Sequence, residues 1–88
     1  MAHPDGSIAI GQNANSSTQV GALALGYSSR ASGYRATSIG YGAVSSTNDA
    51  VAIGYNSNVS GIYSAAIGFE TRVTGQSAFA IGYQTSAS

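Results

Sequence analysis

The sequence predicts an all-β protein, a solenoid of successive coils that are each 14 residues long. Three observations support this fold class. An aliphatic residue followed by glycine recurs at an almost constant interval along the chain. Large and small residues alternate with a period of two before each of these glycines, which is typical of strands. The frequent Gly, Ser, Thr and Asn residues disfavour helices.

The aliphatic–glycine pair defines the repeat. Successive glycines of the pair are 15, 14, 14, 14 and 14 residues apart, and the longer first interval places one extra residue near Gln19-Val20-Gly21. A second glycine follows seven residues later in three of the coils, so each coil is predicted to contain two short strands and two turns. The pairs are Ile10-Gly11, Leu25-Gly26, Ile39-Gly40, Ile53-Gly54, Ile67-Gly68 and Ile81-Gly82.

The first strand of each coil ends in this pair. Its large residues, such as Val51, lie on one face, and its small residues, such as Ala50, lie on the other. We expect the large face to fill the interior, with a repeat core of Ile10, Leu25, Ile39, Ile53, Ile67 and Ile81. The small face is then either a solvent face or the site where a second sheet approaches closely. We predict the second alternative, a subunit interface formed by Ala24, Ala52, Ala66 and Ala80.

The second strand of each coil alternates differently. One face carries small or medium residues such as Ser57 and Val59, and the other face is polar. We therefore expect the polar face to meet water and to supply a candidate ligand strip. The strip comprises Arg30, Asn56, Asn58, Glu70 and Arg72. Glu70 and Arg72 lie two residues apart on this face and are expected to form a solvated ion pair of little energetic weight.

An aromatic residue follows the glycine in five of the six coils. The residues of this aromatic ladder are Tyr27, Tyr41, Tyr55, Phe69 and Tyr83. Aligned aromatic rings suit sugars or proline-rich chains, so the ladder can be interpreted as a binding stripe. It can also be interpreted as structural stacking at a corner of the roll or between subunits. Phe69 favours the structural interpretation because it has no hydroxyl group.

Composition excludes several functions. The formal net charge is zero and the chain has no Lys, whereas nucleic-acid binding requires clustered basic residues. The absence of Cys excludes disulfides and cysteine-based sites, so oligomerisation is the expected source of stability. The single His, His3, lies beside the terminus, and we predict no catalytic, metal-binding or cofactor-binding residue and no enzymatic activity.

The repeated strings resemble the head repeat of trimeric autotransporter adhesins, the YadA-like head. They are Ser7-Ile8-Ala9-Ile10-Gly11, Ala22-Leu23-Ala24-Leu25-Gly26, Ala50-Val51-Ala52-Ile53-Gly54, Ser64-Ala65-Ala66-Ile67-Gly68 and Ala78-Phe79-Ala80-Ile81-Gly82. The string Ala36-Thr37-Ser38-Ile39-Gly40 is a degenerate copy. The resemblance implies a left-handed parallel β-roll, a homotrimer, display outside a Gram-negative outer membrane and adhesion to a host extracellular-matrix protein or cell-surface receptor.

We expect residues 6–88 to form the head repeats and residues 1–5 to be a leader or residues added for expression. No signal sequence, anchor or membrane-spanning segment is apparent, so the chain is expected to be a fragment of a longer exported protein, or else cytosolic. Two alternative functions remain open. One is an ice-binding solenoid, and the other is an architectural spacer in a surface protein or phage fibre.

Overall fold

The computed structural model describes residues 6–16 and 20–88. The predicted leader at residues 1–5, which includes His3, lies outside the described residues. No helix in the described ranges has the length and hydropathy needed to cross a membrane.

The described chain forms a parallel β-solenoid of two sheets. The first sheet contains β1 (Ile8–Ile10), β2 (Leu23–Leu25), β4 (Thr37–Ile39), β6 (Val51–Ile53), β8 (Ala65–Phe69) and β10 (Phe79–Tyr83). The second sheet contains β3 (Arg30–Ala31), β5 (Val44–Ser45), β7 (Asn58–Val59), β9 (Arg72–Val73) and β11 (Ser86–Ala87). From β2 onward the strands alternate between the two sheets along the chain, which confirms the predicted coil of two strands and two turns. In the first coil, an isolated bridge from Asn15 to Arg30 takes the place of the second strand.

Equivalent repeat positions lie directly beside one another in neighbouring coils. Ala52 pairs with Ala66, and Ile53 pairs with Ile67, in a parallel register of 14 residues. The first coil is one residue longer, because Ile8 pairs with Leu23. The repeat therefore places equivalent side chains in columns that run along the solenoid axis.

Glycine is required where the first strand turns towards the second. Gly40 has a φ of +123°, and a Cβ placed on it would lie 2.6 Å from the carbonyl oxygen of Gly54 in the next coil. The coils therefore stack too closely at this corner for a side chain at the glycine position. Two residues later the backbone is left-handed, as at Asn56 with a φ of 54°, a conformation that Asn tolerates better than most residues.

The interior of the roll contradicts the predicted orientation of the first sheet. Its small residues face inward: Ala24, Ala52 and Ala66 are fully buried, and Ala80 is 5% exposed. These alanines fill the interior, so their assignment to a subunit interface is wrong.

The large residues of the first sheet face outward, so the predicted repeat core is also wrong. In the order Ile10, Leu25, Ile39, Ile53, Ile67 and Ile81, the side chains at the two ends of the stack are the most exposed and the central ones are partly exposed. The physical reason is the thickness of the roll, which extends only 11 Å along its shortest principal axis. The inner face of the second sheet already contributes Val59 and Val73, so the facing positions have room only for alanine or serine.

The second sheet has the predicted orientation, with Ser57 and Val59 fully buried. The buried serine hydroxyl groups beside this sheet are satisfied by hydrogen bonds within and between coils, as buried polar groups require. Ser57 Oγ donates to the carbonyl oxygen of Gly68 at 2.8 Å, and Thr71 Oγ1 donates to Ser57 Oγ at 3.1 Å. Ser64 Oγ donates to the carbonyl oxygen of Gly75 at 2.6 Å. Serine is therefore a structural residue of this narrow interior.

Candidate functional site

The outer surface of the first sheet, which we name the apolar face, is a continuous stripe of mostly aliphatic side chains. It is formed by Ile8, Ile10, Leu23, Leu25, Thr37, Ile39, Val51, Ile53, Ile67, Phe79 and Ile81. Ile10 is 57% exposed and Ile81 is 66% exposed, and no charged side chain interrupts the stripe. A contiguous exposed apolar surface of this kind is typical of a protein–protein contact.

The aromatic ladder stacks along the corner that follows the first sheet. Neighbouring rings have centroids 4.9–5.1 Å apart and planes inclined by 6–12°. Phe69 stacks in the same way as the tyrosines on either side of it. Because each inner ring is covered on both faces by its neighbours, only the edges of these rings are open to a ligand. This geometry favours the structural interpretation of the ladder.

The opposite corner contains an exposed charged pair. Arg35 Nε and Nη2 donate to the two carboxylate oxygens of Asp49, 14 residues later, at 2.8 and 3.0 Å. The hydrogen bond from Arg35 lowers the pKa of Asp49, and the same bond raises the pKa of Arg35. The Arg35 guanidinium also lies 5.2 Å from the centre of the Tyr34 ring. This pair links adjacent coils and offers little free charge to a ligand.

A depression on the outer surface of the second sheet, which we name the polar groove, contains most of the predicted ligand strip. It has a volume of about 480 Å³. Its lining residues are Asn56, Asn58, Glu70, Thr71, Arg72, Gln84, Thr85 and Ser86. The structure thus brings together four of the five predicted strip residues. Arg30 does not join them, because β5 separates its strand from β7, the nearest strand of the groove.

Two columns of side chains form the polar groove. Asn58, Arg72 and Ser86 are neighbours in register on β7, β9 and β11. The second column lies two residues earlier in each coil, where Gln84 Nε2 donates to Glu70 Oε1 at 2.9 Å. The predicted ion pair between Glu70 and Arg72 does not form, since Arg35–Asp49 is the single ion pair of the described residues.

Sequence reasoning missed Gln84, Thr85 and Ser86 as part of the polar groove. The repeat itself carried the signal, because these residues stand 14 positions after Glu70, Thr71 and Arg72. Thr85 Oγ1 is buried there without a hydrogen-bond partner in the described residues. The predicted ligand strip took its groove residues from two coils, and the last coil extends the groove by one more.

Neither a metal centre nor a catalytic cluster emerges from this geometry. The described residues contain no group of three His, Asp or Glu side chains that could hold a metal ion. The polar groove contains one carboxylate, one guanidinium and several amide and hydroxyl groups. These groups are suited to hydrogen bonding with a ligand.

Comparison with known proteins identifies the repeat. The family model described as the YadA head domain repeat (2 copies) matches residues 5–29, 17–43, 48–71 and 74–88. No curated protein matches the chain. The matched segments cover most of the sequence and correspond to the observed coils. The chain therefore belongs to the YadA head domain repeat family of trimeric autotransporter adhesins.

Proposed function

We propose that this chain is part of the head of a homotrimeric adhesin that is displayed outside the bacterial outer membrane. In this proposal it binds a host extracellular-matrix protein or a cell-surface receptor. The family is of a structural, adhesive kind and is not enzymatic. The observation that carries the proposal is the apolar face, because it forms an extensive exposed surface of the described residues whose composition calls for a partner.

A second and third copy of this chain are the occupants that best suit the apolar face. The stripe runs the full length of the first sheet, so identical chains with parallel solenoid axes would bury it coil by coil. A closed three-fold arrangement leaves no copy with an unpartnered face. The family membership favours three chains over two, and it also favours a left-handed coil.

This arrangement leaves the second sheets on the outside of the assembly. Each trimer would present three copies of the polar groove, together with the polar columns on either side of it. Weak contacts at separate copies are strengthened by effective concentration once the first copy is bound. Adhesion by a solenoid therefore requires no deep pocket and no cofactor.

The decisive test of the assembly is a charge in the centre of the apolar face. Ile53 lies between Ile39 and Ile67. In the trimer, Ile53→Asp would bury three unpaired carboxylates near the axis, whose desolvation is not compensated. We expect light scattering to give three chains for the unmodified protein and one chain for Ile53→Asp, with the β signal in circular dichroism retained.

Val44→Asp is the matched control, since Val44 lies in the outward column of the second sheet. We expect this variant to remain trimeric. A monodisperse monomer of the unmodified protein, or an Ile53→Asp variant that keeps three chains, would contradict the proposed interface.

Adhesion is tested by solid-phase binding to collagen, laminin and fibronectin. The trimer should bind at least one of them, and the Ile53→Asp monomer should bind far more weakly because it has lost multivalency. A trimer that binds none would favour the spacer function. The ice-binding alternative lacks support from the outward column of the second sheet, which contains no repeated Thr and reads Arg30, Val44, Asn58, Arg72 and Ser86.

A further inference from the structure

We propose that the polar groove binds an unsulfated glycan that carries a carboxylate, such as a uronic-acid oligosaccharide. This inference rests on the proposed adhesin function and names the ligand class for its outer surface. Its starting point is the guanidinium of Arg72, which lies between Asn58 and Ser86 and has no acidic partner among the described residues. A free guanidinium can bind a carboxylate through two parallel hydrogen bonds.

The charge balance of the polar groove limits the ligand to few anionic groups. Glu70 lines the same groove and is held in place by the hydrogen bond from Gln84. The groove therefore carries one positive and one negative charge. A densely sulfated chain would bring several anions close to Glu70, and this repulsion would offset the attraction to Arg72. One carboxylate in an otherwise neutral segment fits better.

The remaining lining groups match the hydroxyl and acetamido groups of sugars. The side-chain amides of Asn56, Asn58 and Gln84 can each donate and accept hydrogen bonds, as can the hydroxyl group of Ser86. Neighbouring side chains in a column are separated by about 4.8 Å, the spacing of adjacent strands. An extended oligosaccharide lying along the column would therefore meet a polar group in every coil.

Peptide recognition fits the polar groove less well. A peptide can add to a sheet only at a free strand edge, but the groove lies mostly on β7 and β9, which are paired on both sides, and only β11 at its end has a free edge. A proline-rich segment requires open aromatic faces, which the ladder covers by its own stacking. The groove also lacks an aliphatic or aromatic pocket for an anchoring side chain. The surface of the groove consists of polar side chains, which can form hydrogen bonds with the hydroxyl groups of a glycan.

The test is a titration of the folded, unmodified protein by nuclear magnetic resonance. The probe is an oligosaccharide of alternating glucuronate and N-acetylglucosamine, and the matched probe is the same oligosaccharide with its carboxylates reduced to alcohols. We expect the acidic probe to shift the amide signals of residues 56–58, 70–72 and 84–86. The dissociation constant should be in the millimolar range for one site, and the reduced probe should bind about tenfold more weakly.

Arg72→Gln should weaken binding of the acidic probe about tenfold. Arg30→Gln is the matched control, because it removes the same charge from the same outward column but lies outside the polar groove. We expect its effect to stay within about twofold. Equal losses in the two variants would show non-specific attraction to charge and would overturn the proposal.

Two further outcomes would also overturn it. One is equal binding of the acidic and reduced probes. The other is a proline-rich peptide that shifts the same signals when the oligosaccharide does not, which would assign the groove to a peptide.

The two proposals can fail separately. A trimer whose amide signals do not shift with the acidic probe would contradict the glycan inference and leave the adhesin proposal intact. An unmodified protein that is monomeric but binds the acidic probe through Arg72 would contradict the trimeric adhesin proposal and support the glycan site.

Discussion

The two sheets of this solenoid are built by the same coils, yet their surfaces differ. The first sheet has alanine inside and aliphatic residues outside, as Ala52 and Ile53 show. The second sheet has Val59 inside and Asn58 outside, which is the ordinary arrangement for a sheet with one face in water. The difference shows that the two inner columns together fill a thin roll, and that the large residues of the first sheet lie on its outer face.

The largest expected effect comes from overfilling the inner column of the first sheet. Ala52 is fully buried between the two sheets. Because the roll has no space for an aromatic ring there, Ala52→Tyr should lower the free energy of unfolding by about 3 kcal/mol. Urea denaturation followed by circular dichroism measures this change.

Asn58→Tyr, on the outside of the second sheet, is the control and should change the unfolding free energy by less than ~0.5 kcal/mol. If the two tyrosine variants were equally stable, the inward assignment of the alanine column would have to be abandoned.

A smaller effect is expected from opening a cavity in the inner column of the second sheet. Val59 is fully buried and packs in the same cluster as Ala52 and Val73. Val59→Ala should cost about 2 kcal/mol of unfolding free energy, because the stacked coils can collapse only partly around the missing methyl groups. Val44→Ala, in the outward column of the same sheet, should cost less than ~0.5 kcal/mol. Thermal melts of Val59→Ala and Val44→Ala test this difference, and equal melting midpoints would contradict the inward orientation of Val59.

The smallest effect on stability is expected from removing the charge of Asp49 at the exposed corner between the sheets. The hydrogen bond from Arg35 lowers the pKa of Asp49, so the native state favours the ionised carboxylate. The resulting stability is present above the pKa of the unfolded chain. It is lost as the pH falls through the lower native pKa, below about pH 4. We therefore expect Asp49→Asn to melt slightly below the unmodified protein at pH 7.

As the pH falls below about 4, the melting midpoints of the Asp49→Asn variant and of the unmodified protein should converge, because the Asp49 carboxylate becomes protonated. A gap that stayed constant between neutral and acidic pH would show that Asp49 acts through packing and not through its charge.

The sequence predicted the second sheet well because one of its two faces is polar. Alternation with a period of two defines two faces but does not say which one is inside. In the second strand, Asn58 and Arg72 identified the solvent side, and the buried positions of Val59 and Val73 follow. In the first strand neither face is polar, so the face with the larger side chains was predicted to be the interior. That prediction is wrong, because the alanine face is buried.

The residues of the polar groove were also predicted only in part from the sequence. Asn56, Asn58, Glu70 and Arg72 were recognisable because they alternate along the second strands on the face that carries polar residues. Arg30 was grouped with them because it occupies an equivalent repeat position. Only the folded chain shows that β5 separates Arg30 from the groove, and that Gln84 donates a hydrogen bond to Glu70 while Arg72 has no ion-pair partner among the described residues.

By itself the sequence determined the coil length, the stacking of coils, the glycine corners and the aromatic column, because each follows from a repeat of 14 residues and from local backbone sterics. The tertiary structure decided which face of the first sheet is buried. The reason is that the space between the sheets depends on both inner columns at once. A valine in one sheet restricts its neighbour in the other to alanine, and that constraint joins residues that no local pattern connects.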